Sequence, residues 1–199
     1  MPNPSALVSP TEPTPANLCD TEQARLHLSL LFPETLVRGE RIEMRPRAPQ
    51  TGDIEQRGFY DSIDAVITAA MRLRQTHDVF FGIGSRRCGD LLAPTMCRVH
   101  RAGGKDHVYR LGAAWTDLDI ATETQPDKPH SSREAAIDLL AASVRPPNML
   151  VTSGHGLHAY WTIRPVAIGR EALQQIENVN RALVSQFKGG SCRFGCWGR

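Results

Sequence analysis

The chain has 199 residues, 41% of them hydrophobic, and a formal net charge of +2. That length and apolar content suit one domain with a real core, or one domain with tails, and the charge is too small to announce nucleic-acid binding by itself. No apolar run approaches the ~18 residues needed to span a bilayer, so a membrane is not an expected partner.

Residues 1–19, opening MPNPSALVSPTEPTPANL, are rich in Pro, Ser and Thr. They lack the basic start and long apolar core of a signal peptide and read as a flexible tail. Five cysteines, an odd number, show no disulfide framework, so a cytoplasmic location is the expectation. Asp20 is placed to cap a helix over 21–31 that stops at Pro33. RIEMR (41–45) alternates Ile42 and Met44 with charges and predicts a half-exposed strand. A polar loop follows. Residues 62–74 carry Ile63, Val66, Ile67, Ala70 and Met71 at helical spacing, with Asp61 as the expected cap. DVFFGIG (78–84) predicts a strand, and a long loop is expected to about 107. YRLGAAWTDLDI (109–120) is the next expected strand. Ser131 and Glu134 have capping-box spacing ahead of Ala136, Ile137, Leu140 and Ala141, and that helix should end before Pro146–Pro147. NMLVTS (148–153) and GLHAYWTI (156–163) predict two strands around a tight glycine turn. A last helix over 168–187 turns Leu173, Ile176, Leu183, Val184 and Phe187 inward. Strands are not regularly followed by helices, so the fold class is α+β.

Within AAWTDLDI, Asp117 and Asp119 interrupt an apolar run. Residues i and i+2 of a strand share a face, so these carboxylates project side by side while Thr116, Leu118 and Ile120 face a core. Adjacent carboxylates repel unless a cation or proton intervenes. Two readings remain open on this spacing. One is a platform for Mg²⁺ or Mn²⁺ and phosphoryl or nucleotidyl transfer. The other is a pair of acids at a strand end, solvated or matched by Arg. In TSGHGLHAYW (152–161), Ser153, Gly154 and Gly156 form a turn that lets backbone approach a phosphate. His158 follows, on the expected open face with Tyr160 and Thr162, opposite Leu157, Ala159 and Trp161. A surface histidine beside an ordinary hairpin turn is the bland alternative.

Together these stretches resemble the catalytic domain of archaeo-eukaryotic primases, in the primase-polymerase branch of plasmids, phages and mobile elements. AAWTDLDI is similar to that family's first motif and SGHGLHAYW to its second, while RIEMR and VFFGIGSRR resemble the strands before the first. The resemblance spans roughly 20–187. It implies an RRM-like core with a smaller N-terminal α/β unit before about residue 77. It implies Asp117 and Asp119 as metal ligands for Mg²⁺ or Mn²⁺ and as catalytic residues with His158. It also implies Ser153, Gly154, Gly156, His158 and Arg86 as nucleotide-binding residues. The expected partners are a DNA template, nucleoside triphosphates and a helicase on the same or another chain.

The family's third motif, an apolar residue followed by Asp, should come shortly after Phe187. The chain instead reads KGGSCRFGCWGR over 188–199, an atypical tail without a carboxylate side chain. A truncated domain, a poor catalyst or an inactive one, with an open sheet edge is therefore expected, with Asp127 and Asp138 as poor substitutes. A non-catalytic nucleic-acid-binding remnant is the alternative. A rolling-circle initiator or relaxase is disfavoured, because His155 and His158 are three apart and face opposite sides of a strand. Cys88, Cys97 and His100 offer three ligands where structural zinc wants four, so reduced thiols are expected instead. Arg86, Arg87, Arg98, Arg101, Lys105 and Arg110 could track a template backbone or form a merely soluble loop.

Overall fold

The computed structural model describes residues 21–52, 56–87, 95–98, 107–153, 156–167 and 169–189. Four helices and eight strands follow in the order α1 (Thr21–Leu31), β1 (Glu40–Arg47), β2 (Gln56–Tyr60), α2 (Ile63–Leu73), β3 (Asp78–Phe81), β4 (Gly84–Arg87), β5 (Thr95–Arg98), β6 (Val108–Asp119), α3 (Arg133–Ala141), β7 (Met149–Thr152), β8 (Gly156–Ala167) and α4 (Arg170–Phe187). This is an α+β protein. None of its described helices is long and apolar enough to cross a membrane.

All strands join one sheet, ordered β5-β2-β1-β4-β6-β8-β7, with β3 also paired to β1. Every named pair is antiparallel. β3 and β4 are two parts of one interrupted segment. Residues 78–81 pair with 47–44, and 86–87 pair with 41–40. Gly82 and Ile83 are the extra residues between them, and Gly82 N–H donates to Glu43 O at 2.9 Å. Such a bulge bends the strand, and its second half reaches over to pair with β6. The residues before 77 and those after 108 thus contribute to one sheet.

Each face of that sheet has its own core. One packs α1 and α2 through Leu28, Leu31, Ile63, Val66 and Ile67 onto Ile42, Met44, Leu111, Ala113, Trp115 and Tyr160. The other packs Ala136 and Leu140 of α3 and Phe187 of α4 onto Leu118, Leu157 and Ala159. Each Val, Leu, Ile, Met or Phe side chain among these, fully buried, contributes about 1.5–3 kcal/mol. α4 touches both cores. Leu173 and Ile176 meet the first, Leu183 and Phe187 the second. Between them Asn180, fully buried, accepts a hydrogen bond from Trp115 N–H at 3.0 Å. α4 therefore crosses the edge of β6 beyond the end of β4. Sequence alone predicts an open edge there; at Trp115 a helix and an amide side chain cover it.

Several local expectations are corrected. The stretch read as a polar loop contains β2, because QRGFY finds a ladder against Ile42–Met44. The loop expected up to 107 contains β4 and β5, which are short and polar and gain their pairing from β1, β6 and β2. The helix caps are Ser62, accepting from Ala65 N–H at 3.2 Å, and Ser132, accepting from Ala135 N–H at 3.1 Å. Each lies one residue after the expected cap, where an extended backbone aims the hydroxyl at the first turn. Asp20 lies outside the described residues.

The largest departure is β1. Instead of being half exposed it is buried on both faces. Glu43 is fully buried and takes a two-pronged bond from Arg45, with Nε to Oε1 at 2.9 Å and Nη2 to Oε2 at 2.8 Å. Arg57 Nη1 reaches the same carboxylate at 3.1 Å and Arg86 Nε at 3.0 Å. Glu40, also buried, accepts from Ser85 and from Val37 N–H and faces Arg110 Nε at 3.2 Å. Alternation of apolar and charged residues marks two faces of a strand; it does not reveal that the charged face will be covered and neutralised.

Gly112 shows how α1 reaches the sheet. A Cβ there would lie 2.1 Å from Leu31 O, backbone against backbone. Gly112→Ala should therefore lower stability by about 1–3 kcal/mol, the usual range for an overpacked site. Urea melts check this, and a wild-type midpoint would show that α1 can lift away freely.

Candidate functional site

β6 and β8 bring the two sequence motifs together. Their register pairs Trp115 with Tyr160, Asp117 with His158 and Asp119 with Gly156. Side chains at 115, 117, 119, 158 and 160 share the face that α1 and α2 cover. His158 Nε2 lies 3.4 Å from Asp117 Oδ1. Tyr160 Oη is 3.5 Å from His158 Nδ1, and the Trp115 ring meets His158 edge-on at 6.2 Å. Asp119 is held at 3.1 Å by Lys128 Nζ, from the loop that follows β6.

The two acids are thus matched by His158 and Lys128, both from this chain. Burial pushes the Asp117 carboxyl up, with Asp119 adding to it, against the opposing charges of His158 and Lys128. Burial pulls His158 down, against Asp117. Both shifts disfavour the ion pair, as expected when charges leave water without a full set of partners. His158 is not on an open face: its side chain is 15% exposed and Tyr160 is buried. The face is polar in sequence but roofed by α1.

The turn residues divide. Ser153 N–H donates to Gly156 O at 3.1 Å and closes the hairpin. Gly154 and His155 lie outside the described residues. A Cβ on Gly156 would stand 2.4 Å from Leu118 O. Close approach of β8 to β6 thus already requires this glycine, whatever binds at the turn.

Arg86 is not brought to this site. It pairs in β6 register with Val108, nine residues before Asp117. At ~3.3 Å per residue that is roughly 30 Å along the strand. It is buried and engaged with Glu43, so the expected phosphate role at the Asp117 site is corrected to a place in the Glu43 cluster. Trp115 is a core residue; Trp161 donates to Arg145 O at 2.7 Å and stacks on Phe187. Asp127 and Asp138 are exposed. Among the described residues no group of three or more His, Cys, Asp or Glu could hold a metal ion. Cys88 and His100 lie outside the described residues, as do Arg101 and Lys105, while Cys97 sits in β5 opposite Arg57.

Sequence reasoning missed three residues here. His27 of α1 lies against Tyr160, ring centroids 5.3 Å apart. Its position on the Ala24–Leu28–Leu31 stripe was the available signal. Lys128 lies nine residues past Asp119 in a loop, and Asn180 in a helix; neither spacing announces a contact with β6.

No family model matches the chain, and no curated protein or solved structure matches it significantly.

Proposed function

We propose that this chain is a nucleotidyltransferase-type domain of the primase-polymerase kind, binding a nucleoside triphosphate and a divalent cation at Asp117, Asp119 and His158. The observation that supports this best is the cross-strand pairing of Asp117 with His158, with Asp119 on the same face. The order of elements is a second support. β6-α3-β7-β8-α4 runs strand-helix-strand-strand-helix, with β8 between β6 and β7 in the sheet. That is the first five-sixths of the split β-α-β motif to which RRM-like sheets belong. The sixth element, a strand beside β6, would stand where α4 crosses the edge.

The donor set fits a hard cation. Two carboxylate oxygens side by side, one in a desolvated carboxyl that lacks full charge compensation, suit Mg²⁺ or Mn²⁺, which complete their shells with water and phosphate. Asp117 and Asp119 would hold the ion, which when bound neutralises phosphate charge and activates a hydroxyl for attack at phosphorus. The chain's own residues do the rest. Lys128, which pairs with Asp119, would then meet a phosphate oxygen through its ammonium group. His158, beside Asp117, donates to a phosphate oxygen and fixes its orientation. Tyr160 and Trp115 wall the imidazole against rotation.

With no third carboxylate beside the pair among the described residues, chemistry should be slow. A misplacement of about 1 Å can cost on the order of 10²-fold. A non-catalytic nucleic-acid- or nucleotide-binding module is the second reading, favoured by the matching of Asp119 with Lys128. Templated incorporation by the purified chain with Mg²⁺ or Mn²⁺ decides between them. Slow, Mn²⁺-dependent extension is expected, with binding weakened about 10-fold in His158→Ala and stability within about 1 kcal/mol of wild type. Binding without any extension supports the second reading. Intact binding alongside a large stability loss would make His158 a core residue. A role in replicating a mobile element, in the cytoplasm and with a helicase, belongs to the same proposal.

A further inference from the structure

β4 covers one edge of β6 only as far as Leu111. Beyond it α4 lies against that edge and touches it at two places. Asn180 Oδ1 accepts from Trp115 N–H at 3.0 Å. Residues two apart in a strand present their backbone groups to the same edge, so the Asp117 carbonyl faces α4 as well. Gly189, which follows the last residue of the α4 cap, meets it there. A Cβ on Gly189 would stand 2.6 Å from Asp117 O and closer still to Thr116 Oγ1.

The turn does not require this glycine. The left-handed residue that ends α4 is Lys188, with φ 50°, and Gly189 lies outside that region. Helices commonly place glycine in the left-handed position, because a side chain is strained there. Here lysine takes the strained position and glycine the next one, where the space beside β6 is what calls for it. Neither atom that a Cβ would strike can swing aside. One is backbone, and the other belongs to a buried, β-branched side chain. Nor can α4 back away freely, since Phe187 and Asn180 are buried against the sheet.

We propose that Gly189 is a positioning residue for Asp117. Lacking a side chain, it lets the end of α4 seat on the β6 edge, and that seat sets the strand position from which Asp117 faces His158 at 3.4 Å. This rests on the reading above in which Asp117 holds the cation. Groups that orient a metal ligand without touching the metal change affinity by about 10- to 100-fold when altered. Gly189 acts in this way through the main chain: a methyl group there pushes on the Asp117 carbonyl and carries the carboxylate with it.

The test compares full-length wild type, Gly189→Ala, and the double variant Lys188→Gly with Gly189→Ala. Each is titrated with dATP in Mn²⁺, melted in urea, and examined without metal or nucleotide for the side-chain ¹⁵N resonances of His158. Gly189→Ala should bind dATP about 10-fold more weakly, melt at lower urea and show displaced His158 resonances. Lys188→Gly relieves the left-handed lysine. The double variant should therefore recover urea midpoint while its binding stays weak and His158 stays displaced. A merely structural glycine would let affinity return with the midpoint, and that result overturns the inference. If neither variant folds, the wild-type amide resonance of Gly189 decides. It shifts on adding Mg²⁺–dATP if the seat and Asp117 move together, and an unmoved signal rejects the role. Failure of the wild type to bind dATP removes the functional reading itself, and the inference with it. Wild-type binding with an unaffected Gly189→Ala removes only the inference.

Discussion

Changing both Asp117 and Asp119 to Ala should abolish Mn²⁺-dependent nucleotide binding, a loss of at least about 100-fold, while leaving the fold intact. Asp117 is the more informative half. Its carboxyl is pushed up by burial and by Asp119, and its nearest cationic partner is a histidine whose charging burial disfavours. Removing such a group takes away a desolvation penalty together with one weak pairing, so stability should hold or rise. A divalent cation would reverse the balance, because it supplies the charge that the site lacks. Two carboxylates then hold what one cannot, which is why the double variant is decisive. Isothermal titration with dATP at fixed Mn²⁺ measures the loss, and a urea melt confirms the fold. Asp119→Ala alone should also free Lys128 and cost less, since water reaches both partners: their side chains are 41% and 34% exposed. Metal dependence that survives in the double variant would remove the cation from this face altogether.

Glu43→Gln should destabilise the protein by about 3–5 kcal/mol, the usual result of breaking a buried ion cluster from one side. Three guanidinium groups converge on that carboxylate, and Arg45 and Glu43 are essentially out of water. Glutamine keeps the shape and one acceptor but removes the charge, leaving Arg45, Arg57 and Arg86 to repel one another. Small domains have only about 5–15 kcal/mol in total, so partial unfolding at 37 °C is expected. The pH dependence has a definite sign. Burial pushes the Glu43 carboxyl up, but the Arg45 hydrogen bonds and the charges of Arg86, Arg45 and Arg57 outweigh it and hold it below its ordinary value. A depressed native carboxyl stabilises fully above its unfolded value and loses that contribution as pH falls through the native one. Wild type should therefore lose stability in acid, below the usual carboxylate range, and Glu43→Gln should show a flatter profile there. Urea midpoints measured across that range test both statements. A variant as stable as wild type near neutrality would mean that the arginines find other anions.

Much of this architecture was legible beforehand because local physics carries it. Helical spacing located α2, α3 and α4, a stop at Pro33 bounded α1, and apolar runs around a glycine turn located β6, β7 and β8. The shared face of Asp117 and Asp119 follows from the two-residue period of a strand, and that of His158 and Tyr160 from the same rule. Glycine at 156 marked the hairpin. These features depend on neighbours in sequence, and the sequence states its neighbours.

Contacts between distant segments were not legible. β2, β4 and β5 are too short and polar to be strands by themselves; pairing of β2 and β4 with β1, of β4 with β6 and of β5 with β2 makes them so. The charged face of β1 looked solvated because the three charges of RIEMR ordinarily would be, and only the convergence of Arg57 and Arg86 on Glu43 and Arg45 allows their burial. Arg86 follows a strand and looked ready for phosphate, but the bulge at Gly82–Ile83 carries it to the far end of β6. His158 looked open because its own strand left that face polar, while the roof comes from α1, more than 120 residues earlier. Sequence by itself determined which residues share a face and where the chain turns, since bond geometry decides both. Which faces meet, which charges find each other out of water and which edge α4 covers were decided only by tertiary structure, because those energies belong to pairs of segments that no local window contains.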